Sequence, residues 1–515
     1  MQVSFFLHGV GLITLEASGR SGRLPSMSRQ TSPVVGGILA VLFVLTLALG
    51  MLSTTVSPTI LLAGVGGIAI FVLSFASTRY ALYFLILAAL LSPEFGSRAT
   101  HGGGVTLRLD DFLLLVIGFG QLTKTAVHRD VGLFSWTPLN RYISYYMLAC
   151  VFATGAGIIF GRVRPLTGFF FVLKYFEYFI VYFMLVSNIN TREEAKRFLV
   201  LILLTAAIVS FIAIAQIPSG GRVVAPFEGE DGEPNTLGGY LLLIASVVGG
   251  LLLCPGAVSK RSHKFALVGL LGLMGVPILF TLSRATWLAV VPAFLTLWLL
   301  SERKAILSVG ALLLLIAGPF LMPEAVVERA LYTVETERTQ WAQHQQETFM
   351  GITFDTSSSA RIRSWKSALS DLPKHPVLGF GVTGWRFIDA QYLRILLETG
   401  LAGFTTFLML QWAIFREARA TYRTAKDPLF RGLALGFLAG SVGLIAHALM
   451  ANTFIIVRIM EPYWMVTAVV IASPELEGGT EGDTPSPDAV PQATGGSVAR
   501  LAPIRPDTNP ASGSA

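Results

Sequence analysis

Apolar residues run through most of this chain in blocks of about twenty, the length an α-helix needs to cross the hydrocarbon core of a bilayer. The blocks fall at about residues 34–52, 58–76, 80–93, 111–123, 142–160, 166–187, 198–217, 236–254, 265–283, 285–300, 305–321, 392–415, 432–450 and 454–473. This pattern predicts an all-α polytopic membrane protein. The third, fourth and last blocks leave the count between roughly 12 and 14 transmembrane helices. Lys and Arg set a direction. With the N-terminus inside, the inner breaks hold Arg79, Lys124, Arg129, Arg141, Arg192, Lys196, Arg197, Lys260, Arg261, Lys264, Arg303, Lys304, Arg416, Arg419, Arg423, Lys426 and Arg431. That is roughly seventeen against about six in the short outer breaks, which predicts both termini in the cytoplasm and the long break at 322–391 outside.

The expected organisation follows from these blocks. Residues 1–33 form a cytoplasmic N-terminal segment; Val3 to Leu15 is too short to span, and Met27 is an alternative start. Residues 34–321 are transmembrane helices with short loops, 322–391 an extracytoplasmic loop and 392–473 the C-terminal helices. Residues 474–515, rich in Pro, Gly, Ser and Thr, read as a disordered cytoplasmic tail.

The long polar excursion, Ser357 to Gly403, interrupts this apolar pattern. Three serines offer a cap to a short helix that places Arg361, Trp365 and Ala368 on one face, and Pro373 and Pro376 stop it. Gly379, Gly381 and Gly384 then permit a sharp turn, in which backbone amides are able to converge on an anion. On the next helix Gln391, Arg394 and Glu398 share a face. Trp341, Trp365 and Trp385 in the same stretch require something to pack against, so the loop is expected to be folded.

With 53% apolar and 13% charged residues the chain is not a soluble multidomain protein, and its net charge of +7 reflects membrane orientation rather than nucleic-acid binding. Cys150 and Cys254 lie in apolar runs and give neither a disulfide framework nor a thiolate metal site.

Several charged residues stand where charge is costly. The outer positions Arg98, Arg108, Arg162, Arg164, Arg222 and Arg284 run against the orientation rule. Arg284, in TLSRATWL, either grips a partner or snorkels to the interface. Arg222 opens RVVAPFEGEDGEPNTLGGYL, whose Glu228, Glu230, Asp231 and Glu233 are either solvated or a divalent-cation site. Pro234 and Asn235 read as a turn and helix cap. Arg361 and Arg363 are about 200° apart on a helix, so one of them faces a common site, and Arg361 is favoured. The GxGxxG formed by Gly379, Gly381 and Gly384 lacks the strand of a dinucleotide site. His375 is a turn residue or a base. Asp389 is a base for a hydroxyl or a helix cap. Asp110 and Asp111 read as first-turn acids or an acceptor-positioning pair, while Lys174 with Glu177, and Arg458 with Glu461, are spaced to pair within the membrane.

Three stretches together resemble the O-antigen ligase and O-antigen polymerase family of bacterial envelope glycosyltransferases: the PNTLGGYL loop, TLSRATWL, and RIRSWKSALSDLPKHPVLGFGVTGW with DAQYLRILLETGLAG. The similarity covers roughly residues 200–450. It implies a GT-C-like fold with the external loop over a cavity. It also implies a metal-independent, inverting transfer or polymerisation of a glycan carried on undecaprenyl diphosphate, at the outer face of the bacterial cytoplasmic membrane. No cofactor is expected. The implied partners are that donor, a glycan or lipid acceptor, membrane lipids, and a chain-length regulator or other glycan-assembly proteins, with no nucleic acid. Arg222, Arg284 and Arg361 match the family's arginines by motif position. On this reading Asp389, Arg284 and Arg361 are catalytic, and Arg222, Gly379, Gly381, Gln391, Arg394 and Glu398 join Arg284 and Arg361 in binding substrate. Asp389-Ala390 stands where ligases commonly carry His-Asn, which favours a polysaccharide polymerase or an atypical ligase. The alternative from another class is a transporter or a flippase for lipid-linked oligosaccharide, which the absence of a convincing repeat argues against.

Overall fold

A computed structural model describes residues 58–95, 107–127, 135–228, 232–331, 348–349, 352–353 and 356–478. The first block at 34–52, Arg98, Glu230, Asp231, Trp341 and residues 479–515 lie outside these. A compact unit runs from Ala69 onward; of the separate unit Met1–Ile68, the described residues belong to the first helix.

The helices are α1 (Pro58–Leu91), α2 (Leu109–Val127), α3 (Asn140–Ile159), α4 (Pro165–Val186), α5 (Arg192–Gln216), α6 (Pro234–Leu253) and α7 (Arg261–Phe280). They continue as α8 (Arg284–Leu300), α9 (Lys304–Leu321), α10 (Glu324–Leu331), α11 (Thr356–Asp371), α12 (Gln391–Thr424), α13 (Pro428–His447) and α14 (Val457–Gly478). Among the described residues eight helices are long and apolar enough to cross a membrane, and Arg284–Leu300 and Lys304–Gly318 are shorter apolar helices. Strand pairing there is confined to two antiparallel pairs of two-residue strands. The protein is thus all-α and polytopic.

Two expected spans, 58–76 and 80–93, form the single element α1, whose backbone leaves helical geometry at Ser77 (φ −154°, ψ 95°). The bend is sharp. Ser74 and Ser92 would sit about 27 Å apart along a straight helix, yet their partners Ile117 and Asp110 are only about 10 Å apart along α2. Arg79, just past the bend, pairs with Glu194 in the first turn of α5.

Local chemistry accounts for many helix starts. Thr191 caps α5 by accepting from the Glu194 amide at 3.3 Å while Glu194 accepts from the Asn190 amide at 2.8 Å. Ser283 caps α8 and Asp427 caps α13. Glu477 accepts from the amides of Lys426 and Asp427 at 3.0 and 2.9 Å. Residues 474–478 therefore belong to the helical body, not to the expected tail, because this carboxylate satisfies amides ahead of α13.

The centre is α13, packed most closely on α6 and α8, with α12 against α3 and α14 against α4. A Cβ on Gly250 would lie 2.2 Å from the Gly436 amide nitrogen, so the two backbones approach as only small residues allow. Trp464 wedges edge-on against Phe179 and Tyr182, tying α14 to α4. Cys150 and Cys254 are free and buried, as expected.

The fold's principal irregularity lies in α12, which breaks at Gly400 (φ 65°, ψ −166°). The break deprives the carbonyls of Leu397 and Glu398 of their helical donors, and the loop supplies replacements. Phe380 and Gly381 donate to them at 2.7 and 2.9 Å, while Leu401 and Ala402 donate to Pro376 and Val377 at 2.8 and 3.1 Å. A Cβ at Gly400 would stand 2.2 Å from the Val377 oxygen. Gly400→Ala is expected to cost at least about 1–3 kcal/mol from backbone strain alone, and to lower the yield of monodisperse protein in fluorescence-detected size exclusion.

Candidate active site

The N-termini of α6, α8 and α12 meet at one end of the bundle, together with α11. On α11, Arg361, Trp365 and Ala368 share a face, as expected; Ala368 is buried with Ile388, Ala390 and Leu397, and Trp365 and Trp385 pack against this cluster. The Trp385 indole donates to Asp371 at 3.0 Å. That small core holds Arg361 against Asp389, Nη2 to Oδ2, at 3.3 Å.

Asp389 is fixed from its other side by Asn452, whose amide donates to Oδ1 at 3.4 Å and to the Ile388 carbonyl at 2.9 Å. Ala390 is the residue preceding the first turn of α12, so Asp389 is not the helix cap that one reading expected; its carboxylate faces Arg361 and Asn452 instead. Burial pushes the Asp389 carboxyl above the ordinary carboxylate value, with Arg361 and Arg394 opposing.

Arg222 reaches across to the turn before α8, donating to the carbonyls of Thr281 and Leu282 at 3.1 and 3.4 Å. Leu282 itself has φ 50°, a conformation costly for a leucine. Ser283 caps the helix that follows, and Arg284 occupies its first position, beside the partial positive charge of the helix end. Desolvation and the nearby charges of Arg329, Arg361 and Arg284 hold the Arg222 guanidinium below its ordinary pKa, with Glu233 opposing. Desolvation and then the Asp389 carboxylate push Glu233 above its ordinary value. Arg222, Arg284, Arg329, Arg361, Glu233 and Asp389 are therefore one electrostatic neighbourhood, in which arginines outnumber carboxylates.

Beneath it a polar chain descends between α6, α8 and α13. Asn235 donates to Glu233 and accepts from Ser283 at 2.5 Å; Thr286 bonds Ser283 at 2.9 Å and contacts His447 Nε2 at 3.3 Å; His447 Nδ1 contacts Thr453 at 2.7 Å. Asn235 is thus turned into this chain rather than capping α6, whose capping position is Glu233. A Cβ on Gly238 would lie 2.1 Å from the Thr286 hydroxyl, which explains a glycine in PNTLGGYL.

Other expected site residues do different work. The amides of Gly379, Phe380, Gly381, Val382, Thr383 and Gly384 all donate within the protein, so the glycine turn offers no amide nest to an anion. Gly379 and Gly381, at φ 67° and 91°, bring the loop against α12 and α3. Gln391 is fully buried and accepts from the Phe454 amide at 3.0 Å. Arg394 and Glu398 do share a face, but it turns inward: they pair at 3.1 Å, and Glu398 accepts from Thr383 at 3.2 Å. These three residues support the site from below. His375 stacks edge-on against Phe380 and touches Arg162. Desolvation, then the Arg162 guanidinium and Lys374, lower its pKa below the ordinary histidine value.

Arg329, Asn452, Thr453 and His447 were not singled out from the sequence. A histidine inside the apolar block 432–450 and an Asn-Thr pair between two blocks were the available signals.

Residues 269–408 match the family model described as O-antigen ligase. Over this stretch the chain is similar to the O-antigen ligase family. The match takes in Arg284, Arg329, Arg361 and Asp389, and is narrower than the resemblance expected from the sequence, leaving Arg222, Glu233, His447 and Asn452 outside it. No curated protein matches the chain. The matched stretch takes in α8, α11 and the start of α12, and the helices α6 and α13 outside it complete the neighbourhood around its arginines.

Proposed function

We propose that this protein is a polytopic glycosyltransferase that transfers or polymerises a glycan carried on undecaprenyl diphosphate. The observation that carries this reading is that Arg361, which pairs with Asp389, also lies in the field of Arg222, as does Arg284. An acceptor hydroxyl oxygen attacks the anomeric carbon from the face opposite the diphosphate, forming the new glycosidic bond as the carbon–phosphate-oxygen bond breaks, with inversion. Asp389 takes the hydroxyl proton. The leaving diphosphate gains negative charge, which planar guanidinium groups stabilise by charge-assisted hydrogen bonds. A carboxylate with a raised pKa is a stronger base than an ordinary one, and Arg361 and Asn452 orient it. The scheme assigns the stabilisation of leaving-group charge to arginines rather than to a metal ion. Asp389-Ala390 in place of the ligase His-Asn pair favours a polysaccharide polymerase or an atypical ligase over a lipid A-core ligase.

The deciding experiment is extension of a lipid-linked oligosaccharide by the purified protein in proteoliposomes treated with a chelator. Chain growth supports the reading; vectorial movement of the donor without a new glycosidic bond favours a flippase. The active face is proposed to be extracytoplasmic, in the bacterial cytoplasmic membrane. Reporter fusions within 322–391 are expected to signal outside and fusions after 478 inside, as the distribution of Lys and Arg requires; reversed signals overturn the orientation.

A further inference from the structure

Away from the arginines, α2, α4 and α14 bring together a second set of charges. Asp110, Glu177 and Glu461 are all buried and offer carboxylate oxygens within 4.8 Å of one another. Asp110 accepts from Ser92 at 2.8 Å and pairs with Arg108; Glu177 is 3.2 Å from Lys174 through Oε2. Glu461 is the exception. It is fully buried, and among the described residues neither of its oxygens accepts a hydrogen bond and its ion pair is with Arg108 at 3.8 Å. Glu177 Oε1 likewise accepts none.

The charges of the group do not cancel. Asp111 pairs with Lys174 at 2.5 Å, and Arg458 lies 3.7 Å from Glu228, so Arg108, Lys174 and Arg458 face Asp110, Asp111, Glu177, Glu228 and Glu461. With every one of these named groups ionised, carboxylates exceed cations by two among the described residues, a costly arrangement in a region withdrawn from water.

We infer that Asp110, Glu177 and Glu461 form a divalent-cation site, selective for calcium, that clamps α2, α4 and α14 together. Three hard carboxylate donors suit such an ion. Calcium–oxygen distances of about 2.3–2.6 Å allow opposed ligands roughly 5 Å apart, whereas magnesium at about 2.1 Å would require the cluster to contract. The site also reaches the loop beside the arginines. Arg458 donates to Pro226 at 2.5 Å and to Ser92 at 3.2 Å, and Glu228 accepts from the Glu233 amide at 3.1 Å. The cation therefore steadies Pro226 and Glu228, beyond Arg222, from behind and takes no part in bond making. This inference is independent of the transfer reaction proposed above.

The test uses the full-length protein, purified in detergent, stripped with EDTA, and titrated with calcium or magnesium chloride at matched ionic strength. Calorimetry is expected to show one saturable calcium site per chain, with a rise of several degrees in unfolding temperature that magnesium reproduces only weakly. Removing even a supporting partner costs roughly 10- to 100-fold in metal affinity. Glu461→Gln and Glu177→Gln are each expected to weaken calcium binding at least about tenfold and to abolish the thermal shift; Asp371→Asn, outside the cluster, leaves both unchanged. If Glu461→Gln does not fold, Glu177→Gln decides alone. Absence of saturable calcium binding in the parent protein overturns the inference, as does binding that survives both substitutions. A Glu461→Gln protein more stable than its parent in the absence of cations, with neither responding to calcium, assigns the excess charge to bound protons and equally overturns it.

Discussion

Asp389→Asn is expected to lower glycan transfer by roughly 10²- to 10⁴-fold, the usual contribution of a general base, while the protein still inserts and folds. The amide keeps the shape that meets Arg361 and Asn452 but cannot take the acceptor's proton. Stability supplies an independent signature. The raised pKa means that the folded state holds this proton more tightly than the unfolded chain does. The associated stabilisation is present below the ordinary carboxylate pKa and is lost as pH rises through the raised value. Asparagine removes that loss, so the variant is expected to be at least as stable as its parent at pH 7. Activity runs the other way, since the base must be ionised: the parent's rate falls with pH through an acid limb above the ordinary aspartate range, and the variant's residual rate lacks that limb. Equal transfer rates for parent and variant would remove Asp389 from the chemistry.

The arginines provide the second large effect. Arg284→Lys retains a positive charge but loses the planar fork, and transfer is expected to fall by more than about tenfold. Arg284→Ala is expected to lose roughly 10²–10³, the scale of deleting one donor to developing charge. Both are read at saturating donor and equal membrane content, so the loss appears in kcat rather than only in KM. Unchanged turnover in Arg284→Lys would return this residue to the interfacial, snorkelling role that its position at the start of α8 also permits.

Much of this was legible in the sequence because it is local. Block length specified helices, Pro373 and Pro376 stopped α11, and the spacing of Arg361 and Trp365 placed them on one face. Arg222, Arg284 and Arg361 are far apart in the chain, and the resemblance to a family, rather than periodicity, singled them out together with Asp389. What the sequence hid depends on pairing between distant segments. Gly379 and Gly381 satisfied every local criterion for an anion-binding turn, yet their amides serve carbonyls freed by a break at Gly400. Arg394 and Glu398 share a helix face as their spacing requires, but spacing alone does not say whether that face meets substrate or protein. His447 was overlooked for a related reason: a lone histidine in an apolar block acquires a role only through Thr286 and Thr453, which lie in other elements.

The hydrogen-bond exchange between residues 376–381 and the interrupted helix at Gly400 limits where this chain can be recombined with another. A crossover between 381 and 397 would unite a loop from one parent with a helix break from another, and each would present backbone groups to a partner shaped for something else. Chimeras joined beyond Gly403 inherit both halves of the exchange intact. The exchangeable module is therefore the loop together with the first turns of its transmembrane helix, and segment swaps should be cut inside the apolar stretch after Gly403, not at the boundary where the polar sequence ends.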